Sequence, residues 1–251
     1  MLKASQDAFG QMIRARLMGQ HPYEVVERDD GYIDVSGGAE TYFSEYRDWL
    51  GYERRAMRYV RGRVLDVGCG AGRHCLYLQR KGFDVVGIDP SPLAVTVCKL
   101  RRVRRCLNLS LVGVLARPGR FEERFDTVLM MGNNFGLFES FDRVRSRLRR
   151  FYGITNPGAR IIASTRDPYD TDRPEHLTYH RSNRGRGRMG GQVRIRVRYR
   201  RYATPWFDYL MVSRKEARAI VNGTGWQLAT IVGGPDGMYI AVIERVSTPA
   251  V

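Results

Sequence analysis

The sequence predicts an α/β fold: a doubly wound, mostly parallel sheet of about seven strands with helices on both faces. Three observations carry this. Short buried apolar runs alternate with helical segments from Arg63 to Thr165, the rhythm of βαβ units. Three glycines, Gly68, Gly70 and Gly72, sit where the first of those runs gives way to a helix, the position at which open α/β sheets bind ligands. The chain has 251 residues, 43% hydrophobic and 27% charged, which suffices for a sizeable core and excludes collagen, coiled coil and a disulfide-stapled miniprotein.

The elements follow in order. Residues 1–60 read as an N-terminal extension or lid, and 61–251 as the main domain with an insertion at about 166–212. In the extension, Asp29-Asp30-Gly31 is a turn between the β-like runs Tyr23–Val26 and Tyr32–Val35,. Ala39–Val60 is expected to be a helical stretch rich in aromatics. Val64–Val67 is the first parallel strand, His74–Lys81 a helix closed by Gly82, and Asp84–Ile88 the second strand. Pro90-Ser91-Pro92 opens a helix over Leu93–Arg104, because proline is preorganised for the first helical turn,. A third strand is expected within Leu107–Leu115 and a fourth at Thr127–Met131. A helix over Phe141–Tyr152 then leads through Asn156-Pro157-Gly158 to a fifth strand, Arg160–Thr165.

The last third departs from this rhythm. Residues 166–190 are polar. Gln192–Tyr202 alternates, with Val193, Ile195, Val197 and Tyr199 on one face and Arg194, Arg196, Arg198 and Arg200 on the other, as a half-buried strand does. Trp206–Val212 is its expected antiparallel partner. Ser213 with Glu216 forms a capping box at a helix start,. Trp226–Val232 and Met238–Glu244 make a closing hairpin.

Charge is the unusual compositional feature. The formal net charge is +16, and all but four of the 42 basic residues are arginine, the lysines being Lys3, Lys81, Lys99 and Lys215. An excess of this sign favours anionic partners, nucleic acid included, while the preference for arginine over lysine fits a GC-rich coding sequence. Nine arginines fall within Arg181–Arg201, and Arg184-Gly185-Arg186-Gly187-Arg188 has the look of a flexible RNA-contacting tract. A strand edge with outward arginines accounts for 194–200 equally well. No apolar run approaches the ~18–20 residues of a membrane span, and Asp7 and Arg14 interrupt the N-terminus where a signal peptide needs an apolar core,. A cytoplasmic location without membrane partners is expected. Cys69, Cys75, Cys98 and Cys106 include no C-x-x-C pair and no histidine at zinc-finger spacing, so neither a disulfide framework nor a metal site is expected.

The chemistry concentrates in Asp66-Val67-Gly68-Cys69-Gly70-Ala71-Gly72, followed at the end of the next strand by Asp89. Glycines here make a tight turn and let a ligand approach the backbone. A carboxylate at Asp89 can accept both ribose hydroxyls of a nucleoside. A dinucleotide fingerprint requires a third glycine at 73, and that residue is Arg73. The pattern D-x-G-x-G-x-G instead resembles motif I of class I S-adenosylmethionine-dependent methyltransferases. Gly87-Ile88-Asp89-Pro90-Ser91 resembles their second motif, Phe125–Leu129 their fourth strand, and Pro157–Ile162 the turn into the fifth. These landmarks cover roughly residues 60–165, and the closing helix and hairpin extend the likeness to about 245.

The resemblance implies the methyltransferase fold, S-adenosyl-L-methionine as cofactor and S-adenosyl-L-homocysteine as product. It implies that Asp66 orients the glycine loop and reaches the methionine amino group. Gly68, Cys69, Gly70 and Gly72 would pass against the methionine moiety and ribose, Asp89 would hold the ribose hydroxyls, and Pro90 with Ser91 would lie near adenine. Met131, at the end of the expected fourth strand, would be on the cofactor side. The family often carries an acidic residue after the third strand, whereas Leu111–Ala116 contains none.

On the acceptor side, Asn133 and Asn134 are the candidate catalytic amides and His180 the candidate proton acceptor. Phe135, Tyr42 and Tyr46 would form apolar walls, with His176 and Tyr179 as further substrate contacts. His176 and His180 share a face if their segment is helical. The acceptor is expected between the 133–135 turn and the histidine insertion, under the N-terminal aromatic helix. Turn formation explains the asparagines, and a solvated loop the histidines, without function. The acceptor class stays open between a small molecule, which the lid-like insertions favour, RNA or protein, which the charge favours, and a non-catalytic RNA-binding relative. Oligomeric state is not encoded in these features.

Overall fold

A computed structural model describes residues 2–35 and 38–246. Helix α1 (Ala8–Leu17) begins at Asp7, whose carboxylate caps the Gly10 N–H. Strands β1 (Val25–Arg28) and β2 (Ile33–Val35) are antiparallel about the expected turn. Then follow α2 (Gly51–Ala56), β3 (Val64–Val67), α3 (Arg73–Arg80), β4 (Val85–Asp89), α4 (Pro92–Leu100), β5 (Cys106–Asn108) and α5 (Leu111–Leu115). The chain continues through β6 (Phe125–Met130), α6 (Phe141–Phe151), β7 (Thr155–Arg166), α7 (Pro174–Gly185), β8 (Gln192–Tyr199), β9 (Tyr202–Ala203), β10 (Phe207–Leu210), α8 (Arg214–Val221), β11 (Trp226–Gly233) and β12 (Met238–Arg245).

The larger sheet has seven strands in the order β11-β12-β7-β6-β3-β4-β5. Parallel pairing is seen for β4 with β5 and β6 with β7, while β12 runs antiparallel to both β7 and β11. The closing hairpin therefore inserts its antiparallel strand beside β7, as expected for a mostly parallel, doubly wound sheet.

Local chemistry explains the helix starts. Ser91 accepts the Ala94 N–H and Pro92 takes the first turn of α4. Ser140 caps α6, and Ser213 with Glu216 closes the predicted box on α8.

Three expectations are corrected. The stretch 39–60 is not one helix: 3-10 turns at Ala39–Phe43, Tyr46–Asp48 and Met57–Tyr59 flank α2, with extended backbone at Ser44, Glu45, Trp49 and Leu50. Its aromatics are drawn to different partners, Tyr42 to Phe9 and Tyr46 to Tyr77, and this overrides helix propensity. The third strand is only Cys106–Asn108, and the apolar residues after it form α5. The Asn156-Pro157-Gly158 turn lies inside β7, where the register to β6 jumps from Phe125–Thr155 to Thr127–Arg160, a bulge that a proline and a left-handed glycine accommodate. The expected partner of the alternating strand is present, since β10 lies beside β8 in the smaller sheet, and β8 in addition pairs antiparallel with β1 of the N-terminal segment and with the short β9. Part of the polar stretch 166–190 is the helix α7, started by Pro174.

The chain divides into two compact units. One comprises residues 1–49, 66–111 and 193–207. Its core includes Met12, Ile13, Ala71, Ala94 and Val97, with Phe9, Tyr42, Phe43 and Tyr199 packed against it. The other comprises 50–65, 112–192 and 208–251, and its core holds Phe135, Phe138, Phe151, Trp226 and Tyr239. The Trp226 indole N–H donates to the Leu148 carbonyl, and the Tyr239 hydroxyl to that of Val212, so both large residues are buried with their polar atoms paired.

Candidate functional site: a glycine loop with Asp89, and an asparagine turn

In the first unit the glycine loop hangs on the end of β4. The N–H groups of Gly68 and Cys69 both donate to the Ile88 carbonyl, at 2.9 and 3.1 Å. Gly68, Gly70 and Gly72 all have positive φ, 70°, 56° and 78°, a conformation that side chains disfavour. One residue further along β4, Asp89 accepts the Gly70 N–H at 3.0 Å on one carboxylate oxygen and the Ser91 N–H at 2.9 Å on the other. Burial pushes Asp89 up to about 7, against the pull of those two backbone bonds.

A carboxylate has about four lone-pair sites, so each oxygen of Asp89 retains capacity for one further donor. That fits the two hydroxyls of a ribose. Asp66 is buried at the end of β3, accepts the Cys75 S–H at 3.2 Å and is likewise pushed up to about 7 by desolvation. Met131 is buried after β6, in the other unit, and Pro90 is exposed.

Phe9, Ile13 and Tyr42 gather over Gly70, 3.5–3.7 Å from where a Cβ would stand. Tyr42 donates its hydroxyl to Glu24. Sequence reading named Tyr42 but missed Phe9, Ile13 and Asp7. Asp7 bonds the Gly10 N–H with one oxygen and the Leu93 N–H with the other, tying α1 to the start of α4. The available signal was an aspartate at a helix N-cap ahead of an apolar face. Tyr46 stacks on Tyr77 of α3 at 4.4 Å, beside Trp49 and His74. Burial pushes the His74 imidazole well below its ordinary range, so it is neutral.

In the second unit the chain leaves β6 through Met131 and Gly132 into Asn133, a non-glycine residue at φ 66°. Its N–H donates to the Ser164 hydroxyl at 3.0 Å and its carbonyl accepts the Tyr209 hydroxyl at 2.5 Å. Its side-chain Oδ1 is buried with no hydrogen-bond partner. Asn134 is half-buried and opens a 3-10 turn over 134–138. Phe135 is fully buried, edge-on to Phe138, so its ring belongs to the core. The Tyr209 ring lies on Gly136, where a Cβ would approach it to 2.2 Å. Tyr209 is 76 residues from Asn133, and nothing local in the sequence marked it.

Helix α7 carries the three insertion candidates. His176 pairs through Nδ1 with the Thr171 hydroxyl at 3.0 Å, Tyr179 is half-buried and His180 is buried. The His180 ring meets that of Tyr169 at 5.4 Å. Tyr169 donates its hydroxyl to Glu216 at 2.6 Å, and Arg184 lies over its ring. Burial and the Glu216 carboxylate raise the Tyr169 phenol above its usual range.

The arginine face of β8 is engaged within the chain. Arg196 makes a two-pronged pair with Glu27, Arg198 reaches the same carboxylate at 2.8 Å, and Arg196 stacks on Trp206. The two guanidiniums hold Glu27 below the ordinary carboxylate range. Among the described residues no helix is long and apolar enough to cross a membrane.

Comparison with known proteins agrees with this geometry. A family model described as a methyltransferase domain matches residues 64–158. The chain is 33% identical over 103 residues to a ubiquinone biosynthesis O-methyltransferase of Rhodopseudomonas palustris, covering 41% of this chain and 39% of that protein. It is 35% identical over 121 residues to the Azorhizobium caulinodans enzyme of the same name, covering 46% and 45%. The chain thus matches less than half the length of these relatives. A SAM-dependent methyltransferase from Bacteroides fragilis, solved with S-adenosyl-L-homocysteine, superposes with TM-score 0.82 at 25% identity over 98% of both chains. One from Clostridium acetobutylicum shares the fold, with TM-score 0.57 at 10% identity over 83% of this chain and 95% of that one. The class defined by fold and site is the Rossmann-like nucleoside-cofactor enzymes. Within it, residues 64–158 match a methyltransferase domain, and the chain is similar in fold to class I S-adenosylmethionine-dependent methyltransferases, which indicates S-adenosyl-L-methionine as cofactor.

Proposed function

We propose that the protein transfers the methyl group of S-adenosyl-L-methionine to a small-molecule acceptor, with a hydroxyl the first acceptor to test. The observation that carries this is Asp89, held by the Gly70 and Ser91 N–H groups at the end of β4 with acceptor capacity to spare. The hydroxyl follows from the O-methyltransferase names of the curated relatives.

When bound, the cofactor supplies an electrophilic methyl on a sulfonium with a good leaving group. The protein's work is then alignment and exclusion of water. Asp89 accepts the ribose hydroxyls, and the loop glycines let the backbone meet the cofactor closely. Asn133 offers a buried, unpartnered carbonyl oxygen to an acceptor's O–H or N–H, held in place by Ser164 and Tyr209. His180 is the candidate base for an acceptor that must lose a proton. Pairing of Arg196 and Arg198 with Glu27 supports a small acceptor over a nucleic acid, because both guanidiniums are engaged within the chain and one of their two charges is offset.

The test is formation of S-adenosyl-L-homocysteine with a panel of phenols, catechols and amines beside RNA and protein substrates. Turnover on a small hydroxyl compound, reduced at least tenfold by Asn133→Ala with cofactor affinity kept, is expected. Activity on RNA alone, lost when Arg184, Arg186 and Arg188 are replaced by alanine, would overturn the small-molecule assignment.

A further inference from the structure

Three of the four cysteines converge beneath the glycine loop, although they come from separate elements. Cys69 lies in the loop itself, Cys98 in α4, and Cys106 opens β5. The Cys69 sulfur is 4.0 Å from that of Cys98 and 3.6 Å from that of Cys106, and all three sulfurs lie within 4.8 Å of one another. All are buried and none is in a disulfide. We propose that Cys69, Cys98 and Cys106 form a three-thiolate site for a thiophilic d10 cation of the Zn²⁺, Cd²⁺ or Cu⁺ class.

The spacing fits such an ion. Metal–sulfur bonds of about 2.3 Å in a trigonal or tetrahedral arrangement place sulfurs roughly 3.8–4.0 Å apart, and the two measured distances bracket that range. Soft thiolate sulfur selects this group of ions over harder ones. The space around the sulfurs is also provided. Gly87 lies within β4 without a positive φ, so no backbone strain requires a glycine there. A Cβ at Gly87 would stand 3.0 Å from the Cys69 sulfur and 2.9 Å from that of Cys75, and one at Gly72 would stand 3.0 Å from that of Cys98. Cys75 also neighbours Cys69 but is not one of the three mutually close sulfurs, and its thiol donates to the Asp66 carboxylate.

Each thiol that binds loses its proton to solvent, so a divalent ion with three thiolates leaves one negative charge and releases three protons. The cation would cross-link the loop, α4 and β5. The Cys98 thiol already reaches the Gly70 carbonyl, and Arg101 of the same helical end donates to that of Ala71, so the loop that the ion would fix is the one carrying the cofactor-binding glycines.

The test is an anaerobic titration of reduced, chelator-treated protein with Cd²⁺, without cofactor, so that its outcome stands apart from methyl transfer. One equivalent of Cd²⁺ should give a saturating thiolate-to-cadmium charge-transfer band and raise the thermal midpoint. Zn²⁺ should compete. Cys98→Ser and, as a second variant, Cys106→Ser should each weaken binding at least tenfold, while Cys75→Ser should weaken it less than threefold. No saturating band in the parent protein would overturn the site. So would equal binding by parent, Cys98→Ser and Cys106→Ser. Loss of two hydrogens by mass on mild oxidation, with no metal uptake by the reduced form, would mark the cluster as a redox pair instead.

Discussion

The glycine loop with Asp89 and the asparagine turn with Tyr209 solve the same problem, holding a polar group buried at a strand end, by different means. At Asp89 the support is backbone from nearby in the chain: Gly70 is 19 residues away and Ser91 two. At Asn133 the support is side chains from afar, Ser164 31 residues away and Tyr209 76. The first arrangement needs particular glycines and little else. The second depends on tertiary packing, so it can vary between proteins of one fold while the first persists. On the proposed roles, the same fold could then keep one cofactor while its acceptor changes.

Breaking the loop should have the largest effect. Gly72→Ala puts a Cβ 2.7 Å from Val103 and 3.0 Å from the Cys98 sulfur at φ 78°. The left-handed backbone costs about 1–2 kcal/mol and the overpacking about 1–3 kcal/mol. Denaturant unfolding should show a loss of that combined order.

A second contrast is in pH response. Asp66 and Asp89 have folded pKa values of about 7, above the 3.8 of an ordinary aspartate. Between those values the folded state holds more protons than the unfolded one, so their contribution to stability is full below about 4 and is lost as pH rises through 7. Cofactor affinity should move oppositely, rising through pH 7 as Asp89 ionises and can accept the ribose hydroxyls. Thermal melts and calorimetry across pH 5–8 check both signs, and Asp89→Asn should flatten the affinity trend.

On the acceptor side Gly136→Ala should cost about 1–3 kcal/mol of stability, because its Cβ would meet the Tyr209 ring at 2.2 Å. Turnover should fall with cofactor affinity kept. Tyr209→Phe is the gentlest probe. It removes only the hydroxyl that the Asn133 carbonyl accepts, a loss of about 0.5–1.5 kcal/mol, read as a lower kcat at nearly constant cofactor KM.

The same contrast decides what the sequence discloses. The sheet, its closing antiparallel strand, the glycine loop and Asp89 follow from short-range patterns: buried runs, turn residues and carboxylate spacing. The stretch 39–60 does not, because the destinations of Tyr42 and Tyr46 lie in other elements. Nor does the antiparallel pairing of β8 with β1, which joins residues about 170 apart through Glu27 and Arg196. The support of Asn133 by Tyr209 and the convergence of Cys69, Cys98 and Cys106 are likewise products of topology, with no spacing rule to announce them.

The most direct test of the cofactor site is calorimetric titration with S-adenosyl-L-homocysteine at pH 8, where Asp89 is ionised. The parent protein should bind one equivalent. Asp89→Ala, shown folded by circular dichroism, should bind roughly ten- to hundredfold more weakly, corresponding to about 1.5–3 kcal/mol for hydrogen bonds to a charged group. Unchanged affinity in the folded variant, or tight binding of NAD with none of S-adenosyl-L-homocysteine, would contradict the assignment.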